Sequence, residues 1–253
     1  IHDRIQQAVY SLIPIHEQKS LHFEIGLSLL NLYAGDNEKI FEIVDQINFG
    51  IDMVENAEDR LTYAGLNLNA GTLAISSTAY DAAKGYLDAG LNFVQDNWKS
   101  HYDLVLELNT HAAEAAYLLG NYDEVTRYIE QVITNATNLL DKIPVYKIEI
   151  EALKSQNNLY AAVEKGLQVL NMLDVKLPYT PSRLRVFGNL AATRIKMLGK
   201  SPEALLRLNQ MEDPYKLAAM QVLVSIGPAI YWASPNLTPL TIFRMLLLSV
   251  KYG

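Results

Sequence analysis

The chain has 253 residues, 50% of them hydrophobic and 19% charged, so it can bury a sizeable core and is not a disordered polymer. Its 28 acidic and 21 basic residues give a net charge of −7, which argues against nucleic acid and anionic membranes as partners, because both attract basic proteins. It contains no cysteine, which excludes disulfides, Cys-ligated zinc and thiol nucleophiles and fits a cytoplasmic protein.

The N-terminal segment "IHDRIQQAVY" is charged and polar, so it is not a secretory signal. Because the chain starts at Ile1 and its last segment, "FRMLLLSVKYG", has no polar tail, we expect a piece cut from a longer protein. A weak first pair of helices is predicted from "FEIGLSLLNLYAG" and "NEKIFEIVDQINFGIDMV". We assign residues 1–58 to N-terminal helices.

The clearest helical pattern is "HAAEAAYLLGNYDEVTRYIEQVI", which runs from His111 to Ile133. Apolar residues recur every three or four positions on both sides of Gly120, as on one face of a helix. Glycine commonly ends a helix because it accepts a left-handed backbone, and Asn121 can cap the helix that follows. The stretch therefore predicts a helical hairpin, with small residues such as Ala112 and Ala116 allowing a close approach of the helices.

Looser copies of this hairpin occur on both sides of it. One copy joins "LTYAGLNLNAGTLAISSTA" to a helix that begins at Tyr80. Another joins "PVYKIEIEALKSQ", which we expect to start at Pro144, to a helix through Tyr160. Tyr80, Tyr122 and Tyr160 are spaced by 42 and 38 residues, which indicates an internal repeat.

The pattern at Ala113, Gly120, Tyr122 and Val125 resembles the tetratricopeptide repeat, although the usual period of that repeat is about 34 residues. One hairpin cannot bury both of its faces, so neighbouring hairpins cover one another in a row. We therefore predict an all-α fold, a right-handed superhelix of stacked antiparallel helical hairpins (a tetratricopeptide-like α-solenoid). The repeats occupy residues 59–177.

Residues 178–253 are predicted to hold further helical repeats after the proline-containing linker Asp174–Ser182. Four helices are expected there, from "RLRVFGNLAATRIKMLGK", "SPEALLRLNQ", "PYKLAAMQVLVSIGPAIYWA" and "TPLTIFRMLLLSVKYG". Ser201-Pro202-Glu203 and Asp213-Pro214 are good helix starts, and Pro228 should bend or break its helix. The most apolar stretch, Leu217–Ala233, is interrupted by polar residues and is interpreted as a buried helix, not a membrane span.

No motif indicates catalysis. Gly199-Lys200-Ser201 resembles the end of a phosphate-binding loop, but Arg194 stands where the motif needs glycine. The histidines (His2, His16, His22, His101 and His111) show no pair at the i, i+4 spacing of a helical zinc site. Glu107 and Glu114 lie two turns apart without a nucleophile. We expect no catalytic, cofactor or metal site, and no enzymatic activity of this chain.

Several blocks resemble the region that follows the ATPase module in large bacterial sensor kinases. They are "HDRIQQAVYSLI", "HFEIGLSLL", "AGLNLNAGTLAISSTAYDAAKGYLDAGL", "AAEAAYLLGNYDEV", "AVEKGLQVLNMLDVKLP" and "MEDPYKLAAMQVL". In that family a serine/threonine kinase domain precedes a STAND-class AAA-type ATPase, then a helical repeat region and often a histidine kinase. His2, Asp3 and Arg4 match the motif at the join, so residues 1–58 would connect to the ATPase.

The resemblance implies a protein-interaction and regulatory scaffold that relays or restrains activity between ATPase and kinase domains. The partners it implies are those domains of the same polypeptide, or another protein. The alternative is an arm that senses a small effector, as in some STAND regulators. In register with the tetratricopeptide pattern, the inner surface is predicted at Thr72, Ile75, Glu107, Thr110, Glu114 and Tyr117.

Overall fold

The computed structural model describes residues 10–33, 35–95, 97–197 and 210–252. These residues form eleven α-helices and two short 3-10 helices, with no strand among them, so the all-α prediction is confirmed. The α-helices are α1 Ile15–Leu32, α2 Ile40–Phe49, α3 Ala57–Ser76, α4 Tyr80–Val94, α5 Tyr102–Leu118, α6 Tyr122–Asn135, α7 Leu139–Ser155, α8 Leu159–Met172, α9 Arg183–Met197, α10 Pro214–Ala233 and α11 Thr238–Tyr252. The 3-10 helices are Ile51–Met53 and Pro235–Leu237.

The chain divides into two compact units. Unit 1 extends to Asn121 and contains α1 to α5, and unit 2 starts at Tyr122 and contains α6 to α11. The boundaries predicted at residues 58 and 177 separate segments by their expected roles in the sequence, and they remain predictions.

In unit 1 each helix packs against the next one along the chain, and α3 also packs against α5. Small residues permit this close packing. A Cβ added to Gly71 on α3 would lie 2.6 Å from Leu87 Cγ on α4, and one added to Gly90 would lie 2.6 Å from Leu108 Cδ2 on α5. Such contacts explain why helices of unit 1 carry glycine where they face a neighbouring helix.

The same turn ends α3, α5 and α7. Thr78, Gly120 and Asn157 have φ angles of 62°, 74° and 59°, so each adopts the left-handed conformation. The residue after each of them donates its backbone N–H to a carbonyl five residues earlier, over 2.9, 2.9 and 2.8 Å. This is a Schellman cap. At the ends of these three helices it recurs at intervals of 42 and 37 residues, which confirms the predicted helix end at Gly120 and gives the hairpins a structural register. The same turn also ends α8, at Asp174.

In unit 2, α6 packs against α7 and α7 against α8, but the next helix beside them is α10. A Cβ added to Gly166 on α8 would lie 2.2 Å from Ile226 Cγ2 on α10, so the two backbones approach closely there. Helix α9 packs against α11 instead. The predicted row of hairpins that cover one another is therefore not confirmed at α9.

The predicted start of α7 also needs correction, and Pro228 does not break α10. Helix α7 starts at Leu139, before Pro144, because the Asn138 side chain caps it by accepting a hydrogen bond from Leu140 N over 3.1 Å. Helix α10 starts where predicted, with Asp213 accepting from two backbone N–H groups over 2.9 and 3.1 Å, but it continues past Pro228 to its end.

Two predicted features near the C-terminal side of the chain lie outside the described residues. They are the Gly199-Lys200-Ser201 motif and the "SPEALLRLNQ" helix. Among the helices that are described, α10 is long and apolar enough to cross a membrane. The helix is buried on one side only: Ala219, Val222 and Ile226 belong to the core of unit 2, while Val224 and Trp232 are exposed.

Candidate interaction faces and cavity

The six residues predicted for the inner surface all lie in unit 1, on two helices that pack against each other. Thr72 and Ile75 are on α3, and the other four, Glu107, Thr110, Glu114 and Tyr117, are on α5. Glu107 is exposed and the other five are half-buried, so none of the six is part of the core. The face that they form is called the α3/α5 face below.

The repeated cap shows that these residues occupy equivalent positions. Thr72 and Glu114 each lie six residues before the left-handed residue of their turn, and Ile75 and Tyr117 each lie three before it. Thr72 and Glu114 are therefore polar residues at equivalent positions of α3 and α5, whereas Thr110 and Glu107 correspond to Leu68 and Gly65.

Local contacts order part of the α3/α5 face. His111 Nδ1 lies 3.3 Å from Glu114 Oε2, one turn away on α5. The Thr72 hydroxyl donates to the Asn69 carbonyl over 2.9 Å. Within the described ranges no group of three metal-ligating side chains comes together. The face therefore offers carboxylates, hydroxyls and one aromatic ring for hydrogen bonding and packing.

Sequence reasoning missed the equivalent face of unit 2. Shifting the register from Gly120 to Asn157 carries Thr110, Glu114 and Tyr117 onto Lys147, Glu151 and Lys154 of α7. The recurring left-handed turn was the signal that could have identified these three residues.

A polar network joins this part of α7 to α10. Lys154 Nζ lies 2.7 and 2.8 Å from the two Glu151 carboxylate oxygens, and it also donates to the Ser225 carbonyl over 3.0 Å. The Ser225 hydroxyl donates to Glu151 Oε1 over 2.8 Å, and Lys147 Nζ donates to Gln221 Oε1 over 3.2 Å. The face of unit 2 is therefore bridged by its own side chains.

Unit 2 also contains a cavity of about 320 Å³ between α6 and α7. Its volume is within the range of small-molecule sites, roughly 300–1,000 Å³. Glu149 of α7 and Lys165 of α8 form an ion pair beside it, with Lys165 Nζ 2.8 Å from Glu149 Oε1. Its lining is mixed, and consists of Tyr122, Val125, Thr126, Ile129, Glu130, Ile133, Glu149, Ala152, Leu153, Gln156 and Lys165.

The perturbed tyrosines lie at helix contacts of unit 1, away from the α3/α5 face. Burial, and then the Asp59 charge, raises the pKa of Tyr63, whose ring packs against Phe23 and Phe93. Burial and the hydrogen bond to Asp45 raise the pKa of Tyr86 to about 12. The Tyr86 hydroxyl donates to Asp45 Oδ1 over 3.0 Å. Both groups are positioned to hold helices together.

A known signalling protein is similar to part of this chain. Hybrid signal transduction histidine kinase G of Dictyostelium discoideum is 29% identical over a match that covers 54% of this chain and 5% of the relative. No protein-family model and no solved structure matches the chain. The similarity suggests a signal-transduction kinase context, and the chain corresponds to a small part of the relative's length.

Proposed function

We propose that this chain is a non-catalytic helical scaffold of a multidomain signalling kinase. It would lie in the cytoplasm and relay or restrain activity between STAND-class ATPase and kinase domains. The observation that carries the proposal is the α3/α5 face, where Thr72 and Glu114 stand at equivalent positions of two neighbouring helices outside the core. Stacked hairpins of the tetratricopeptide type present such a surface to partners.

The packing within each unit supports a solenoid. In unit 1, α3 contacts α4 and α5, and α4 contacts α5; in unit 2, α7 contacts α8 and α10, and α8 contacts α10. In both cases the first helix of a hairpin contacts the first helix of the next one. The similarity to a hybrid histidine kinase supports the signalling context.

Site-specific photocrosslinking tests the scaffold. A crosslinking amino acid is placed at Thr72, Thr110 or Glu114 in the parent polypeptide, and at the exposed Asp81 of α4 as a control. We expect crosslinks to the ATPase or kinase domains, or to a separate protein, from the three face positions and not from Asp81. If the face positions never crosslink, or do so no more than Asp81, the scaffold proposal is wrong. ATP hydrolysis or kinase activity by this chain alone would also contradict it.

A second candidate function is the sensing of a small effector, and the cavity of unit 2 favours it. A ligand that binds only the folded state raises the melting temperature in a dose-dependent manner. Thermal-shift screening of the chain with metabolites therefore separates the two candidates. A scaffold without a ligand site would show no dose-dependent rise.

A further inference from the structure

The ion pair at the cavity stands where earlier copies of the repeat carry an apolar pair. Eight residues before the left-handed residue, α3 has Ala70 and α5 has Ala112, both fully buried, but α7 has Glu149. Eight residues after it, α4 has Tyr86 and α8 has Lys165. The third copy therefore replaces alanine and tyrosine with two opposite charges.

The surroundings of this position change together with its charge. In unit 1, Ala70 packs in a cluster with Ile40 and Val44 of α2, and Tyr86 lies against the same cluster. In unit 2, α6 does not fill the space beside Glu149, so the cavity lies there and the Glu149 side chain is 26% exposed. The position that is packed in the core of unit 1 is therefore occupied in unit 2 by an accessible charged side chain that lines the cavity.

Only one of the two carboxylate oxygens of Glu149 has a hydrogen-bond partner. Lys165 Nζ occupies Oε1, and this ammonium group also lies 5.8 Å from the ring centroid of Tyr146. Oε2 is buried and has no hydrogen-bond donor. Because the last torsion of a glutamate side chain is soft, the carboxylate can rotate to meet a donor that arrives in the cavity. A buried acceptor without a donor is unfavourable, so a donor that arrives with a ligand is favoured.

We propose that the cavity between α6 and α7 binds a small organic ammonium compound with an apolar body. The ammonium group would donate to Glu149, while Val125, Ile129 and Leu153 contact the apolar body. The charges of the lining favour a cation, because the two carboxylates of Glu130 and Glu149 leave one negative charge after the pairing with Lys165. This proposal rests on the effector-sensing candidate and names the chemistry of its ligand.

Titration calorimetry on the full chain tests the proposal with three probes of similar shape. They are phenethylamine, phenethyl alcohol and hydrocinnamate, which carry a positive, a neutral and a negative end. We expect phenethylamine to bind and phenethyl alcohol to bind at least about tenfold more weakly, since hydrogen bonds between charged groups are roughly twice as strong as neutral ones. Hydrocinnamate should not bind.

Three variants locate the site. Glu149→Gln should weaken phenethylamine binding about tenfold, because it removes the charge and keeps the shape. Glu164→Gln, an exposed carboxylate on α8 that does not line the cavity, should leave binding unchanged. Thr126→Phe places a large side chain at an exposed position of the lining and should abolish binding. Circular dichroism confirms that each variant is folded.

The outcomes distinguish the ligand chemistry from the sensing function. If all three probes bind equally and Thr126→Phe blocks them, the cavity is a ligand site but the ammonium proposal is wrong. If Glu164→Gln weakens binding as much as Glu149→Gln, binding reflects the net charge of the chain and the proposal also fails. If no probe binds, the ammonium proposal is rejected, and the thermal-shift screen with metabolites decides the sensing role separately.

Discussion

The left-handed turn at Gly120 allows a quantitative prediction, because a side chain added there meets no neighbouring part of the structure. Nothing lies within 4 Å of a Cβ built on Gly120, and the same is true of Gly85 inside α4. The two glycines differ in backbone conformation, since Gly120 has a φ of 74° and Gly85 is helical. Substitution by alanine therefore isolates the effect of the backbone.

The expected effects have opposite signs. A left-handed conformation costs an L-residue about 1–2 kcal/mol, while replacing glycine with alanine reduces the entropy of the unfolded chain by about 0.4–1 kcal/mol. Gly120→Ala should therefore lower the free energy of unfolding by about 1 kcal/mol. Gly85→Ala should raise it by roughly 0.5–1 kcal/mol, because alanine is the better helix former.

Urea denaturation followed by far-ultraviolet circular dichroism measures both effects. Both glycines belong to unit 1, so the same unfolding transition reports on them. In thermal unfolding, 1 kcal/mol corresponds to about 2–4 °C for a chain of this size. If Gly120→Ala stabilises the protein as Gly85→Ala does, the turn is not left-handed and the register drawn from it is wrong.

Three further substitutions test the packing. Gly166→Ala should destabilise unit 2 by about 1–3 kcal/mol through overpacking against Ile226 Cγ2. Because Ile226→Ala removes that methyl group, the Gly166→Ala/Ile226→Ala double variant should lose less than the sum of the two single losses, and additive effects would contradict the α8–α10 contact. Asn67→Ala should lower the free energy of unfolding by about 1–3 kcal/mol, because the buried Asn67 exchanges side-chain hydrogen bonds of 2.7 and 2.8 Å with Asn48. In denaturation experiments, the Asn48→Ala/Asn67→Ala double variant should lose less than the sum of the two single losses. Because the pKa of Tyr86 is raised to about 12 in the folded state, the stability it contributes is complete below its unfolded value of about 10 and is lost as the pH rises toward 12. Ultraviolet titration should show that Tyr86→Phe removes a late-ionising component, and an unchanged high-pH profile would exclude this assignment.

The sequence predicted the α3–α4 hairpin and the Gly120 helix end because their determinants are local. Apolar residues at helical spacing select the buried side of α4, and glycine accepts the left-handed turn at Gly120. The start of α7 was harder to predict from the sequence. Pro144 and Asn138 both fit a helix start, and only the hydrogen bond from Leu140 N to Asn138 shows which residue caps the helix.

The inner-surface residues of unit 1 could be proposed from the repeat pattern, whereas the contacts that their equivalents make in unit 2 could not. Lys147, Glu151 and Lys154 follow from the register of the turn, but their bonds to Gln221 and Ser225 depend on α10 lying beside α7. The cavity next to Glu149 is equally non-local, because it arises from how α6 packs on α7.

By itself, the sequence determined that the chain is helical, and it indicated where most helices end, since hydrogen bonds and side-chain spacing within a few residues set these features. Only the tertiary structure decided which surface each helix covers. Helix α10 lies beside α8, where Gly166 leaves space for Ile226, and α9 lies against α11. Burial of an apolar face is non-directional and does not depend on chain order, so the complementary surface, and not the next helix in sequence, becomes the neighbour.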